Sequence, residues 1–116
     1  MTDRSTAEAE PPEVVRQYQD AHDRRDTETA LATFAIGATV HDDGHDYQGL
    51  DEIRTWLSSA STKWSYARTL VSAQAVDANT WLVVNHLEGD FPGGVVDLRY
   101  RFELSGDRIS SLSIVP

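Results

Sequence analysis

Apolar residues in the first half of the chain recur at spacings of three and four positions, which is the period of a helix with one buried face. The pattern predicts a helix over residues 12–25. Its inward side is formed by Val14, Val15, Tyr18, Ala21 and His22. Asp26 is a suitable N-terminal cap for a second helix, which we expect to continue to about residue 35, with Gly37 just beyond its end. The inward residues of that second helix are expected to be Ala30, Leu31 and Phe34.

A third helix is predicted over residues 49–60, where the same period returns. Its apolar stripe is formed by Leu50, Ile53, Trp56, Leu57 and Ala60. Asp51 and Glu52 lie in its first turn, where negative charge is favourable. The residues before the first helix are small, polar and acidic and end in two prolines, so we expect a disordered arm over residues 1–11 and a single domain over residues 12–116.

The second half of the chain changes to a period of two, which indicates strands with one buried face. Strands are predicted over residues 64–76, 80–89, 95–104 and 108–115, separated by segments rich in Asp, Asn and Gly that suit tight turns. In the third of these strands the apolar positions are Val96, Leu98, Tyr100, Phe102 and Leu104. Because helices precede strands instead of alternating with them, the predicted fold class is α+β with an antiparallel sheet.

A short strand over residues 38–43 joins the two halves and contains the most informative single residue. Alternation along this strand places Asp42 on the same face as Val40, toward the apolar interior. Burial would raise the pKa of the Asp42 carboxyl and suit it to proton transfer near neutral pH. The alternative is that the strand ends before Asp42 and the carboxylate accepts hydrogen bonds from loop amides.

Four segments occur in an order and spacing that resemble a known family. They are ATVHDDG over residues 38–44, YQGLDEIRTWL over 47–57, LEGDFPGGVVDLRYRF over 87–102 and DRISSLSI over 107–114. Together they resemble the NTF2-like superfamily, of the SnoaL-like polyketide cyclase and ketosteroid isomerase type, over residues 12–115. The resemblance implies a cone, in which a curved antiparallel sheet wraps around three N-terminal helices and leaves a deep, mostly apolar pocket.

The resemblance also implies roles for particular residues. Asp42 matches the aspartate general base at the end of the first strand in isomerase-type relatives, and Tyr18 matches a tyrosine that supports an oxyanion hole. Tyr18 has the alternative role of a core aromatic whose hydroxyl bonds to a carbonyl. His22 and His86 are further candidates for relaying protons, as in dehydratase-like relatives, although the pattern leaves the face of His86 open. The second acid of true ketosteroid isomerases is missing, because alternation places Asp97 on the polar face of its strand.

Several large side chains are candidates for the wall of the implied pocket. With His86, the predicted ligand-binding residues are Val40, Trp56, Trp64, Tyr66, Phe91, Leu98 and Tyr100. The segment HDDGHD over residues 41–46 also raises the question of a metal site. His41 and Asp42 project to opposite faces of a strand, and only a turn at Gly44 could bring His45 back toward His41. We therefore predict the solvated rim of the pocket here and no bound metal.

Composition narrows the possible functions further. Ten basic and nineteen acidic residues give a net charge of −9 without a basic run, so neither nucleic acids nor anionic membranes are expected partners. The absence of cysteine excludes thiol catalysis, disulfides and cysteine-bound zinc. No apolar run is long enough to span a bilayer, and the first residues do not resemble a secretory signal, which favours a cytoplasmic protein.

Three functions remain open. The first is a cofactor-independent isomerase, lyase or cyclase for a small hydrophobic carbonyl compound, with Asp42 as the base and Tyr18 or His22 as the hydrogen-bond donor to the enolate oxygen. The second is a binding module that holds an apolar ligand without turnover. The third is an association domain with a vestigial pocket, because relatives usually form homodimers through the outer face of the sheet.

Overall fold

A computed structural model describes residues 10–59 and 63–116 of the chain. The helices of this part are α1 (Glu13–Asp23), α2 (Thr27–Leu31) and α3 (Leu50–Ser58). Its strands are β1 (Phe34–Asp42), β2 (His45–Gln48), β3 (Tyr66–Asp77), β4 (Thr80–Gly89), β5 (Val95–Ser105) and β6 (Arg108–Val115). Most of the predicted arm, residues 1–9, and Ala60 of the predicted third helix lie outside the described residues.

The strands form one curved sheet in the order β2-β1-β6-β5-β4-β3. Neighbouring strands are antiparallel, except that β1 lies parallel to β6. This parallel pair joins the first strand of the chain to the last, so the early segment that carries Asp42 lies beside the C-terminal strand. The predicted α+β fold, with a curved sheet and three helices, is confirmed for the described part of the chain.

The core lies between the helices and one face of the sheet. Its largest fully buried side chains are Trp56, Tyr18, Phe102, Ile53, Leu57, Ile109 and Leu112. The helical members of this set lie at the spacings that predicted the apolar stripes of α1 and α3, and Phe102 lies in the apolar phase of β5. Burial of these apolar surfaces holds the helices on the sheet.

The second helix is shorter than its pattern predicted. It ends at Leu31, and β1 begins at Phe34, four residues before the predicted strand. The backbone N–H of Ile109 in β6 donates to the Thr33 carbonyl at 2.8 Å, so pairing with β6 takes over where we expected the helix to continue. Phe34 still points inward and is buried. Gly37 lies within β1 at φ +83°, where the β1–β6 register shifts, and so does not end a helix.

Residues 43–48 form a hairpin with β1, where we expected only a loop. Asp42 pairs with His45 across a two-residue turn, in which Asp43 has φ +55° and Gly44 has φ +75°. Two positive φ angles in succession are characteristic of the type I′ turn, and Asp-Gly is a preferred sequence for that turn. The Asp-Gly dipeptide was therefore the local signal for β2. The strand has only four residues, so its alternation did not reveal it.

Candidate functional site

A cavity of about 460 Å³ lies between α1, α3 and the inner face of the sheet. Most of the predicted site residues line it: Tyr18, His22, Asp42, Trp56, Trp64, Tyr66, Phe91, Leu98 and Tyr100. These residues come from α1, α3, β1, β3 and β5 and from the segments before β3 and β5. The structure thus brings together residues that are up to 82 positions apart in the sequence, as between Tyr18 and Tyr100.

Asp42 lies at the end of β1 and is half-buried in the cavity wall. The indole N–H of Trp56, on α3, donates a hydrogen bond of 3.0 Å to Asp42 Oδ2. Burial raises the pKa of the Asp42 carboxyl above its ordinary value, and the Trp56 hydrogen bond opposes that rise. The carboxylate is therefore a stronger base than an exposed aspartate while one of its oxygens is held in place.

Three tyrosines of the cavity wall carry neutral hydroxyls at physiological pH. Burial raises the pKa of Tyr18 well above that of a free phenol, and it raises the pKa of Tyr66 to about 12. Burial also raises the pKa of Tyr100. The Tyr18 ring packs edge-on against Phe34 and Phe102, with centroid distances of 5.6 and 5.8 Å. Packing against aromatic rings fixes the direction of the Tyr18 hydroxyl, and a neutral phenol in a dry site is a good donor to a developing oxyanion.

His22 lies near the aromatic rings of Tyr18, Trp56 and Tyr66. Its imidazole is nearly parallel to the Trp56 ring and to the Tyr66 ring, at centroid distances of 6.3 and 6.5 Å. Its Nδ1 is 3.4 Å from the Tyr66 hydroxyl. The stacked rings keep this imidazole in the wall, one helical turn from Tyr18.

A second cavity, of about 390 Å³, adjoins the first. The two share His22, Trp64 and Tyr66, but the second has a more polar lining that includes Asp23 and Arg68. The guanidinium of Arg68, on β3, donates to both carboxylate oxygens of Asp23, on α1, at 2.8 to 3.1 Å. A carboxylate bound by two guanidinium nitrogens fixes α1 against β3. The Asp42 carboxyl lies in the larger cavity only, so we take that cavity as the candidate site.

Two of the predicted ligand-binding residues do not line the cavity. Val40 is 1% exposed and belongs to the hydrophobic core. His86 projects from the other face of the sheet, where Nδ1 lies 2.6 Å from Asp97 Oδ1 and Nε2 lies 2.9 Å from Glu88 Oε2. The Asp97 carboxylate raises the pKa of His86 the most, and the Glu88 carboxylate raises it further. Asp97 lies on the polar face, away from the cavity.

The HDDGHD segment forms the hairpin described above and separates its polar side chains. His41 Nδ1 lies 2.7 Å from Asp46 Oδ1, and His45 Nδ1 lies 2.9 Å from the Asp43 carbonyl. Asp42 lies in the cavity wall. Within residues 10–59 and 63–116, no three His, Asp or Glu side chains are grouped so that they could hold a metal ion.

Sequence reasoning missed several polar residues of this region. Lys63 lines the cavity, with its ammonium 5.0 Å from the centroid of the Trp64 ring. Arg68 and Asn85 lie on inward positions of β3 and β4, and Asn85 is fully buried. Strand alternation could have revealed Asn85, because it shares a face of β4 with the buried Val83 and Leu87.

The geometry agrees with comparisons to known proteins. The family model of the SnoaL-like domain matches residues 15–111, so the chain belongs to the SnoaL-like family of the NTF2-like superfamily. A Sinorhizobium meliloti protein, provisionally described as a polyketide cyclase, has a similar structure with 35% sequence identity and a TM-score of 0.83. The match covers 90% of this chain and 95% of that one. A comparison with curated proteins found no match.

Two further solved structures share the fold at lower identity. A Catenulispora acidiphila protein with a ketosteroid isomerase-like fold is 18% identical, with a TM-score of 0.80; the match covers 92% of this chain and 87% of that one. SalBIII, an epoxide hydrolase/cyclase-like enzyme of pyran ring formation in salinomycin, is 19% identical, with a TM-score of 0.75. That match covers 88% of this chain and 86% of the enzyme. At these identities the likeness shows the fold alone. Among the described residues, no helix has the length and apolar character needed to cross a bilayer.

Proposed function

We propose that this SnoaL-like protein is a cofactor-independent isomerase, lyase or cyclase that removes a proton from a carbon next to a carbonyl group of a small hydrophobic compound. The observation that carries the proposal is the Asp42 carboxylate, which lies in an aromatic cavity with its pKa raised by burial. A general base is most effective when its pKa approaches the working pH. The provisional description of the Sinorhizobium meliloti relative as a polyketide cyclase is consistent with a substrate that carries carbonyl groups.

In the proposed reaction Asp42 accepts the proton from the α-carbon, and the electrons of the C–H bond move into the carbonyl group. Negative charge then develops on the carbonyl oxygen, where the neutral hydroxyl of Tyr18 donates a hydrogen bond. The protonated Asp42 returns the proton to another carbon of the enolate or assists loss of a leaving group. Trp56 holds Asp42 throughout, and His22 is placed to assist proton transfer from the same wall.

The proposal can be tested with 2-tetralone, a bicyclic aromatic ketone with acidic α-protons. We expect the protein to accelerate exchange of these protons for deuterium in D2O, observed by NMR. Asp42→Asn should reduce the protein-dependent exchange rate by about 10² to 10⁴-fold, the range for loss of a general base. Asp46→Asn is the matched control, because Asp46 lies in the same hairpin with its side chain 83% exposed.

The possible outcomes separate the alternatives. Binding of 2-tetralone without accelerated exchange would contradict the catalytic role and favour a module that holds an apolar ligand. Failure to bind 2-tetralone would contradict both, and would favour the association domain with a vestigial pocket. Equal exchange rates for Asp42→Asn and the unmodified protein would show that another group is the base.

A further inference from the structure

Asn85 carries a buried amide donor that forms no hydrogen bond of ordinary length. Its side chain is fully buried on β4, and its Nδ2 has no hydrogen-bond partner among the described residues. Buried amide groups are nearly always paired, and an unpaired one in a native protein calls for an explanation.

The orientation of the Asn85 amide is fixed by a chain of charged contacts. Arg68 Nη1 donates to Asn85 Oδ1 at 3.1 Å, and the Arg68 guanidinium is itself held by both carboxylate oxygens of Asp23. A guanidinium has only donors, so the amide oxygen of Asn85 must face Arg68 and the NH₂ group must face away from it.

Tyr100 lies on the same face of the sheet as this NH₂, one strand away. Asn85 pairs with Leu98 across the β4–β5 ladder and Tyr100 pairs with Val83, so Asn85 and Tyr100 are diagonal neighbours on the inner face of the sheet. Burial raises the pKa of the Tyr100 phenol, and the Asn85 amide opposes that rise. Tyr100 lines the main cavity, and Asn85 lies outside its lining.

We propose that Tyr100 is a second hydrogen-bond donor to the carbonyl oxygen of the ligand, and that Asn85 is the residue that positions it. The amide NH₂ of Asn85 faces a lone pair of the Tyr100 oxygen, so the phenol proton is directed into the cavity. This inference rests on the proposed function and defines the ligand further, as a compound whose ketone oxygen reaches both Tyr18 and Tyr100. A hydrocarbon of the same shape would leave these buried donors unpaired and should bind less well.

The carbonyl stretching frequency of bound 2-tetralone tests this arrangement. Each hydrogen bond to a carbonyl oxygen lowers the frequency, so infrared difference spectra should show a lower frequency in the protein than in an apolar solvent. Tyr100→Phe should raise the frequency of the bound ketone and weaken its binding by roughly three- to tenfold, the range for one hydrogen bond. Thr33→Val is the control and should leave the frequency unchanged, because it removes a buried hydroxyl that donates to the Ala30 carbonyl, outside the lining of the cavity.

A second substitution tests the positioning role of Asn85. Asn85→Asp keeps an acceptor for Arg68 but replaces the NH₂ donor by a carboxylate oxygen, which should attract the Tyr100 hydroxyl proton away from the cavity. We therefore expect Asn85→Asp to raise the carbonyl frequency as much as Tyr100→Phe does, with a similar roughly three- to tenfold loss of affinity for one lost hydrogen bond. A merely structural role of Asn85 would change the affinity without changing the frequency of the ketone that still binds.

The results distinguish this inference from the proposed function. If the unmodified protein exchanges the α-protons of 2-tetralone but Tyr100→Phe leaves the carbonyl frequency unchanged, the role of Tyr100 is wrong and the role of Asp42 stands. If the frequency shifts as expected without any exchange, the oxygen site stands and the catalytic proposal fails. If the unmodified protein does not bind the ketone, both are overturned.

Discussion

At the scale of single residues, Asp42 combines a stabilised position with an unfavourable environment. Trp56 holds one carboxylate oxygen, but burial disfavours the charge of the group. Strand alternation was enough to predict that Asp42 shares the buried face with Val40. It could not predict the Trp56 hydrogen bond, because that contact depends on where α3 crosses the end of β1.

The raised pKa of Asp42 makes a prediction about stability. The folded protein holds this proton more tightly than the unfolded chain, where the pKa is near 3.8. The contribution of Asp42 to the free energy of unfolding is therefore present below that pH and is lost as the pH rises through the folded pKa. Asp42→Asn keeps a neutral acceptor for Trp56 and should raise the free energy of unfolding at pH 7 by about 1 kcal/mol, a typical effect of one substitution.

The check is urea denaturation of the Asp42→Asn variant and the unmodified protein at pH 7 and at pH 3. The difference in unfolding free energy should be present at pH 7 and nearly absent at pH 3, where both side chains are neutral. Asp46→Asn should show no such gain at pH 7, since Asp46 is exposed. An equal gain at both pH values for Asp42→Asn would show that the charge of Asp42 is not its cause.

Asn85 and Arg68 show where residue patterns mislead. Polar residues in a strand normally indicate its solvated face, so neither was predicted to contribute to the site. Their inward position is stable because Asp23 on α1 neutralises Arg68 and Arg68 binds the Asn85 oxygen. Three residues that are far apart in the sequence satisfy one another only after the fold has formed, so no local pattern could predict them.

At the scale of elements, the long strands and two of the helices followed directly from their periods, whereas the region between α2 and α3 did not. We expected the second helix to continue to about residue 35, but pairing with β6 makes Phe34 the start of β1. The hairpin of β1 and β2 depends instead on two residues of its turn. That hairpin carries Asp42 on one side of the turn and His45 on the other, so it also shapes the cavity.

Gly44 in this turn should be intolerant of ordinary side chains. Its φ of +75° lies in the left-handed region, while a Cβ at this position would meet nothing within 4 Å, so the cost is conformational and not steric. Gly44→Ala should lower the free energy of unfolding by about 1 kcal/mol, as expected for a left-handed residue with a Cβ. Gly44→Asn is the control, since Asn tolerates this conformation and should lose less stability; equal losses in urea denaturation would contradict the explanation.

At the scale of the whole molecule, the sheet has one face on the cavity and one face open. On the outer face, His86 pairs with Asp97 and Arg101 with Glu103, so charged residues surround smaller apolar ones such as Val84. The alternation of residues along β5 accounts for both faces, since its charged residues lie on the outer face and its apolar residues lie on the inner face. The volume of the cavity could not be predicted from the sequence, because it depends on how far the helices lie from the inner face of the sheet.

We propose that the outer face forms a homodimer, as the family resemblance led us to expect, and the prediction concerns β4, which lies between β5 and the edge strand β3. Val84 lies opposite Arg99 of β5 and Ser72 of β3. Val84→Arg would place a second positive charge beside Arg99 in the interface, so we expect dimers of the unmodified protein and monomers of the variant in sedimentation at high micromolar concentration. Thr55→Arg, on the exposed side of α3, introduces the same charge away from the sheet and should leave the dimer intact.

A monomeric unmodified protein at that concentration would contradict the dimer, and dimers of Val84→Arg would place the interface elsewhere. Because the cavity and the outer face lie on opposite sides of the sheet, exchange of 2-tetralone protons should persist in a monomeric Val84→Arg variant.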